Sequence, residues 1–301
     1  MPAQNIAVSH ADTGLVTAEV TRAERISPSF VRLTISGPDV REWRDLGFDQ
    51  WFRLAIPVAG EATRFDRMSE RFDMRGYLRY LTLPKATRPA IRNYTVREFR
   101  AELGELDIDF VVHGGDANDG AGPGTAGHSA AADRGIAGPW AAELPIGARV
   151  ALIDQGCGFT APAPGDPAPH VLLAGDESAL PAVAGILRDL PADATGDAII
   201  EVPDPADRQE LQHPAGVRVH WLDRAATAAA PTAAPAAARP GAAALDALRA
   251  LPSGRQPGGA IPSHAFVAGE QQLASGGRKH LVGTLGMPRD AVTFCGYWRQ
   301  K

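Results

Sequence analysis

The sequence predicts two joined folds, a small antiparallel β barrel followed by an open parallel α/β sheet. Between Val16 and Leu152, short runs of alternating apolar and polar residues recur with turn signals between them, as in a half-buried antiparallel sheet. Beyond Pro162-Ala163-Pro164-Gly165-Asp166-Pro167, a linker by composition, apolar strands alternate with helical segments. The chain has 301 residues and is 45% hydrophobic, enough to bury a core in each half. The expected bounds are 14–160 for the barrel and 168–301 for the α/β domain.

In the first half, strands are expected at Val31 to Ile35, Trp51 to Ile56, Arg92 to Arg97, Leu106 to His113 and Arg149 to Ile153. The charged stretch from Arg64 to Tyr80 reads as a surface insertion. A Gly-, Ala- and Asp-rich segment, 114–133, reads as a flexible insertion. In the second half, a buried strand from His170 to Ala174 leads into a helix from Ala179 to Leu190. Strands follow at Ala198 to Val202, Val217 to Leu222 and Ala265 to Ala268. Residues 225–244 are almost entirely Ala and Pro. A helix-interior proline costs about 3 kcal/mol, and Pro231, Pro235 and Pro240 recur closely, so a flexible loop is expected there.

Composition excludes several classes. A formal charge of -5, from 30 basic and 35 acidic residues without a dense Lys/Arg run, offers nothing to neutralise a phosphate backbone, so no nucleic-acid partner is expected. Cys157 and Cys295 are the only cysteines, too few for a disulfide framework or an iron–sulfur cluster and without structural-zinc spacing. No metal site is expected, and a reduced cytoplasmic setting is the simplest reading. The N-terminus lacks signal-peptide regions, and no apolar run is long enough to enter a membrane as a spanning helix.

The strongest chemical signal is Arg92-Asn93-Tyr94-Thr95-Val96-Arg97. Strand alternation places Arg92, Tyr94 and Val96 on one face and Asn93, Thr95 and Arg97 on the other. A flavin needs a guanidinium for its pyrophosphate, a flat wall for its ring and hydrogen-bond partners for its polar edge. Asp107 to His113, including Asp109, then forms a strand ending in a histidine. Gly135-Ile136-Ala137-Gly138-Pro139-Trp140-Ala141 opens a helix with small residues that would let a pyrophosphate approach backbone amides. In the second half, His170 to Val183 is a strand, turn and helix built on Ala174-Gly175-Asp176-Glu177-Ser178-Ala179-Leu180-Pro181. Phe266-Val267-Ala268-Gly269-Glu270 and Gly296-Tyr297-Trp298-Arg299 follow.

In this order, these segments resemble the siderophore-interacting protein family of the ferredoxin-reductase superfamily. They match its R-x-Y-T-x-R, G-P-A-S-x-W-A, A-G-D-E-T-A-L-P-A-I, V-A-G-E and G-Y-W-R signatures. Gly138 stands where Ser is common, and Ser178 where Thr is usual. The resemblance implies a ferredoxin-NADP reductase-like fold, with an FAD-binding barrel followed by a nucleotide-binding domain. It assigns FAD to Arg92, Tyr94, Thr95, Val96, Arg97, Asp109, His113, Gly135, Ala137, Gly138 and Trp140. It assigns NADPH or NADH to Gly175, Asp176, Glu177, Ser178, Ala179, Glu201, Arg208, Gly269 and Glu270. Glu201 would meet a ribose and Arg208 a 2′-phosphate, although Arg208 also reads as a solvated loop cation. Arg278, Lys279, Trp298 and Arg299 would face an anionic siderophore, while Trp298 also reads as a core aromatic. The end at Lys301 resembles the shorter, nicotinamide-using members.

The implied reaction is hydride transfer from NAD(P)H to FAD and then one-electron reduction of Fe(III), with no side chain acting as a catalytic nucleophile. The turn departs from a G-x-G-x-x-G loop. Either Asp176 and Glu177 cap the helix clear of the phosphates, or nicotinamide binding is weak and another donor serves. A reductase with a different acceptor and a siderophore-binding protein with little turnover stay open as alternatives. A monomer is expected.

Overall fold

The computed structural model describes residues 4–6, 14–58, 63–65, 68, 74–112, 135–163, 167–229, 239–251 and 261–300. The chain divides into two compact units. One comprises His10–Asp45 and Trp51–Gln155, and the other comprises Met1–Ser9, Leu46–Gln50 and Gly156–Lys301.

The first unit is built from β1 (Leu15–Ser27), β2 (Phe30–Ser36), β3 (Trp51–Ile56), helix α1 (Met74–Leu81), β4 (Ala90–Thr95), β5 (Glu98–Arg100), β6 (Glu105–Val111), helix α2 (Ala137–Ala142) and β7 (Arg149–Gly156). The strands form a seven-stranded sheet in the order β4-β3-β7-β1-β2-β6-β5, with antiparallel pairing of β1 to β2 and β7, of β2 to β6, and of β3 to β4. The sheet curls like a barrel. Arg97 N donates to Asp107 O at 2.9 Å, drawing the end of β4 onto β6. Period-two alternation puts Val16, Ala18 and Val20 of β1 inside with Leu33, Phe52, Leu54, Leu106, Ile108 and Leu152.

Three expectations change here. β4 stops at Thr95, so Val96 and Arg97 lie beyond the strand. The stretch read as a surface insertion contributes Phe65 and Met68 to a second apolar cluster with Ala55, Ala151 and Ile153, while α1 exposes Tyr77 and Leu78. β6 ends at Val111, and both His113 and residues 114–133 lie outside the described residues.

The second unit contains β8 (His170–Gly175), α3 (Leu180–Asp189), β9 (Thr195–Val202), β10 (Gly216–Asp223), α4 (Arg224–Ala229), α5 (Ala242–Ala250), β11 (His264–Glu270), α6 (Gln271–Gly283) and β12 (Val292–Trp298). All four neighbour pairs in the order β10-β9-β8-β11-β12 are parallel. Helices cover such a sheet, which explains the near-continuous apolar runs of β8, β9 and β11. The winding reverses between β8 and β11. The carboxyl ends of those two strands form the switch point at which open α/β sheets bind ligands.

The Ala/Pro segment is not one loop. Arg224–Ala229 and Ala242–Ala250 are helical. Closely spaced prolines prevent one continuous helix but leave Ala free to form a helix on either side, and residues 230–238 lie outside the described residues. The N-terminal segment also adds to this unit. Asn5 donates to Val292 O at 2.7 Å and accepts from Phe294 N at 2.8 Å, lining the open edge of β12. Among the described residues, no helix is long and apolar enough to cross a membrane.

Candidate functional site

In the barrel unit, pairing of β3 with β4 sets Trp51 opposite Thr95, Phe52 opposite Tyr94 and Leu54 opposite Arg92. The Tyr94 ring centroid lies 4.3 Å from that of Phe110 on β6, and Phe110 lies 5.8 Å from Trp140 on α2. This aromatic row joins β4, β6 and α2 at one corner. Burial pushes the Tyr94 hydroxyl well above the usual phenol range, against the pull of the Arg92 charge.

Arg92 and Asn93 are both exposed, whereas Thr95 and Val96 are both buried. Tyr94 and Val96 pack against the same core cluster, in keeping with the expected alternation, and the regular strand ends between Thr95 and Val96. The Arg92 guanidinium donates to the adjacent Ile91 O at 2.8 Å and is otherwise presented to solvent. At the start of α2, Gly135 has φ +68°, and a Cβ there would meet nothing within 4 Å among the described residues. A Cβ on Gly138 would come within 3.1 Å of Val111 O. Gly138 thus seats α2 against β6, while the open backbone lies at Gly135 and Ile136. Trp51 Nε1 is buried without a hydrogen-bond partner among the described residues. An exposed guanidinium, open backbone, an aromatic row and an orphaned donor fit a flat, phosphate-bearing group such as FAD.

Asp109 does not join that surface. Register sets it opposite Arg32, which grips both carboxylate oxygens at 2.6 and 2.8 Å, and Arg97 Nε lies 3.4 Å away. Its side chain is fully buried, and Asp109 and Arg97 belong to one ion-pair cluster within the sheet. Asp107 anchors a neighbouring cluster, accepting from Arg100 at 2.7 and 2.8 Å and from Thr34 at 2.7 Å. Burial pushes its carboxyl up, but Arg100 and Thr34 more than offset this and hold it below the ordinary range.

In the α/β unit, Gly175, Asp176, Glu177, Ser178, Ala179, Gly269 and Glu270 converge at the switch point, as the sequence suggested. Their chemistry differs. Asp176 is wholly buried and caps the short 3₁₀ turn Glu177–Ala179 ahead of α3. One carboxylate oxygen accepts from Ser178 N at 2.9 Å and Ser178 Oγ at 2.5 Å. The other accepts from Glu270 N at 2.6 Å and Trp298 Nε1 at 3.2 Å. Burial and the neighbouring Glu177 charge push Asp176 up to about 7. Gly269, at φ +123°, makes room for this carboxylate, because a Cβ would lie 2.5 Å from it.

Beneath the turn, Arg224 pairs with Glu177 and also donates through Nε to Glu201 at 2.7 Å. Glu201 accepts further from Gly241 N at 2.8 Å and Ala244 N at 3.1 Å at the start of α5. Its buried carboxylate is therefore engaged by internal donors from two helices. Arg208 is exposed, in keeping with its reading as a solvated loop cation, and is ion-paired there with Asp223. Glu270 caps α6, accepting from Gln272 N, and also accepts from Gln300 N at 3.3 Å. As arranged, these residues do not fit a dinucleotide pyrophosphate, since a side-chain anion already holds the amides.

The residues expected to face a siderophore do not converge. Trp298 points its indole N–H at Asp176, while Arg299 and Lys279 are exposed. The Arg278 guanidinium sits 5.0 Å over the Phe294 ring, four residues and about 13 Å back along β12 from Trp298. Helix α6 leaves the switch point and returns along the sheet, carrying Arg278 and Lys279 away from it. Sequence reasoning missed Arg32, Trp51 and Arg224. The only available signals were that Arg32 is a cation at a strand centre and that Arg224 directly follows β10.

A curled antiparallel sheet followed by five parallel strands in this order is the fold of the ferredoxin reductase in carbazole 1,9a-dioxygenase, at a TM-score of 0.52 and 13% identity over 94% of this chain and 69% of that chain. The model of the siderophore-interacting FAD-binding domain matches residues 19–157, and that of the siderophore-interacting protein matches residues 168–301. The chain belongs to the siderophore-interacting protein family. It is 35% identical over 214 residues to ferric vibriobactin reductase ViuB of Vibrio cholerae, covering 71% of this chain and 66% of that one. It is 26% identical over 208 residues to the NADPH-dependent ferric-chelate reductase of Escherichia coli, covering 67% and 69%. A siderophore utilization protein from T. fusca shares its fold at a TM-score of 0.67 and 28% identity, covering 98% of this chain and 97% of that chain.

Proposed function

We propose that this chain is an FAD-dependent reductase that takes electrons from NAD(P)H and delivers them to ferric siderophores, releasing Fe(II). The observation that carries the reading is the Tyr94–Phe110–Trp140 row, which holds the Arg92 strand beside the open start of α2. The two reductases named above, for ferric vibriobactin and for ferric chelates, support the substrate class. Bound FAD supplies the conversion of a two-electron donor into one-electron reduction, and oxygen ligands hold Fe(II) less tightly than Fe(III).

The chain's part is binding and positioning. Arg92 pairs with the pyrophosphate, and the Gly135–Ala137 backbone lets it approach. Tyr94, with Phe110 and Trp140 behind it, fixes a flat wall. Thr95 and Val96 close the buried side. Asp109 and Arg97 act through the sheet by locking β6 to β2 and to the end of β4. No side chain is required to donate or remove a proton. We further propose a monomer in a reduced, cytoplasmic setting, in keeping with only two cysteines in 301 residues.

The test uses purified protein loaded with FAD and reduced photochemically under anaerobic conditions. Reoxidation by ferric siderophores, trapped as Fe(II) with a ferrous chelator, is the expected result. A colourless protein that cannot be reconstituted with FAD sinks the proposal. So does a reduced flavin that ferric siderophores do not reoxidise.

A further inference from the structure

We propose that Asp176 is a built-in anion filling the phosphate cradle at the switch point between β8 and β11, so that a nicotinamide dinucleotide must displace its carboxylate to bind. The proposal rests on the reading of NAD(P)H as donor and sharpens it, because it makes one residue the determinant of donor affinity.

A pyrophosphate settles at the carboxyl end of a parallel sheet on three conditions. It needs backbone N–H groups at the turn before a helix, a small residue that lets them be approached, and space. All three are present, and all three are used by Asp176. Its carboxylate takes the Ser178 amide and hydroxyl on one side and the Glu270 amide and Trp298 indole on the other. The space comes from Gly269, whose absent side chain would stand 2.5 Å from that carboxylate. Two strand ends, one helix cap and the last aromatic of β12 are thus closed around a negative charge belonging to the chain itself.

The charges around Asp176 oppose a second anion. Glu177 stands next to it in the turn, and Glu270 follows at the end of β11. The buried cation nearby, Arg224 at the start of α4, is already shared between Glu177 and Glu201. A phosphate brought to the same amides would face an unscreened carboxylate, unless that group swings away or takes up a proton. Burial and Glu177 favour the protonated form of Asp176, so lowering the pH weakens the competitor and strengthens dinucleotide binding.

NAD+ is the probe, since it carries the pyrophosphate but no titrating 2′-phosphate. Its affinity for the FAD-loaded chain is measured by isothermal titration calorimetry, with Asp176→Ala and the near-isosteric Asp176→Asn beside the unaltered protein. At about pH 8, NAD+ should bind Asp176→Ala about tenfold or more tightly than the unaltered chain, with Asp176→Asn between them. From about pH 8 to about pH 6, affinity should rise for the unaltered chain and stay level for Asp176→Ala.

Folded variants that bind NAD+ no more tightly overturn the proposal, as does an absence of NAD+ binding in every form. If the variants do not fold, the unaltered chain decides, and a flat profile between the two pH values overturns the proposal. Iron reduction by photoreduced protein needs no nicotinamide. Failure of the reductase reading and failure of this inference are therefore separate results.

Discussion

Replacing Arg224 with methionine tests how the α/β unit carries its buried charges. The guanidinium side chain is 14% exposed and lies between Glu177 at 1% and Glu201 at 0%. Removing one partner of a buried ion pair costs about 3–5 kcal/mol, because the remaining charge stays desolvated. Glu201 keeps the amides of Gly241 and Ala244, so most of the penalty falls on Glu177, and the lower end of the range, about 3 kcal/mol, is expected. For a unit of this size, that lowers the midpoint of thermal unfolding by about 6–12 °C.

The assay is urea unfolding followed by tryptophan fluorescence at about pH 8 and again at about pH 5. An orphaned buried carboxylate is cheaper to hold protonated, so the deficit shrinks at the lower pH. Adding Glu177→Gln to Arg224→Met should return about half of the lost stability or more, because the uncompensated charge has gone. A loss under about 1 kcal/mol at the higher pH, or equal losses at both, would refute the reasoning by showing that water reaches the cluster.

Three further outcomes follow from the same geometry. Gly269→Ala combines a φ of +123° with a Cβ 2.5 Å from Asp176, and should destabilise the α/β unit by about 1–3 kcal/mol in thermal unfolding. Tyr94→Ala should cost about 3–5 kcal/mol and lower the FAD-to-protein ratio after purification, whereas Tyr94→Phe keeps the ring and should retain both stability and FAD. Asp107 is held below the ordinary carboxylate range, so it stabilises the barrel unit above an unfolded value of about 3.9, and that support is lost as the pH falls through this value toward the folded one. Acid unfolding followed by circular dichroism should show the loss, and Asp107→Asn should reduce the stability difference between neutral and acid pH.

Regular strands were the most legible part of the chain. The run Trp51 to Ile56 is expected and found over the same residues, because its alternation is uninterrupted and its pairing with β4 is in register throughout. The Arg92–Thr95 segment and the small-residue start of α2 were readable as motifs, and the aromatic row shows why they belong together. What remained hidden is set by distant pairing. Arg32 meets Asp109 only because β2 and β6 pair in one register, 77 positions apart in the chain. Arg224 meets Glu177 across 47 positions. Local sequence gives the charge of such residues but not its partner, so carboxylates that looked available for a ligand proved to be internal. The proline spacing of the Ala-rich segment was read correctly as forbidding one long helix, but it could not reveal that Ala would form shorter helices on either side.

The two units treat negative charge in opposite ways. At the barrel corner, among the described residues, a guanidinium stands in solvent, the backbone at Gly135 is open and the Trp51 donor is unmet, so an arriving phosphate gains partners without displacing any. At the switch point Asp176, Glu177 and Glu201 are buried with the guanidinium of Arg224, and amides, a hydroxyl and an indole supply further compensation. An arriving phosphate there must first take donors from a group that already holds them. The same chemical group is therefore favoured as a resident on one unit and made to compete on the other, which suits the staying cofactor and the exchanging donor of the proposed reductase.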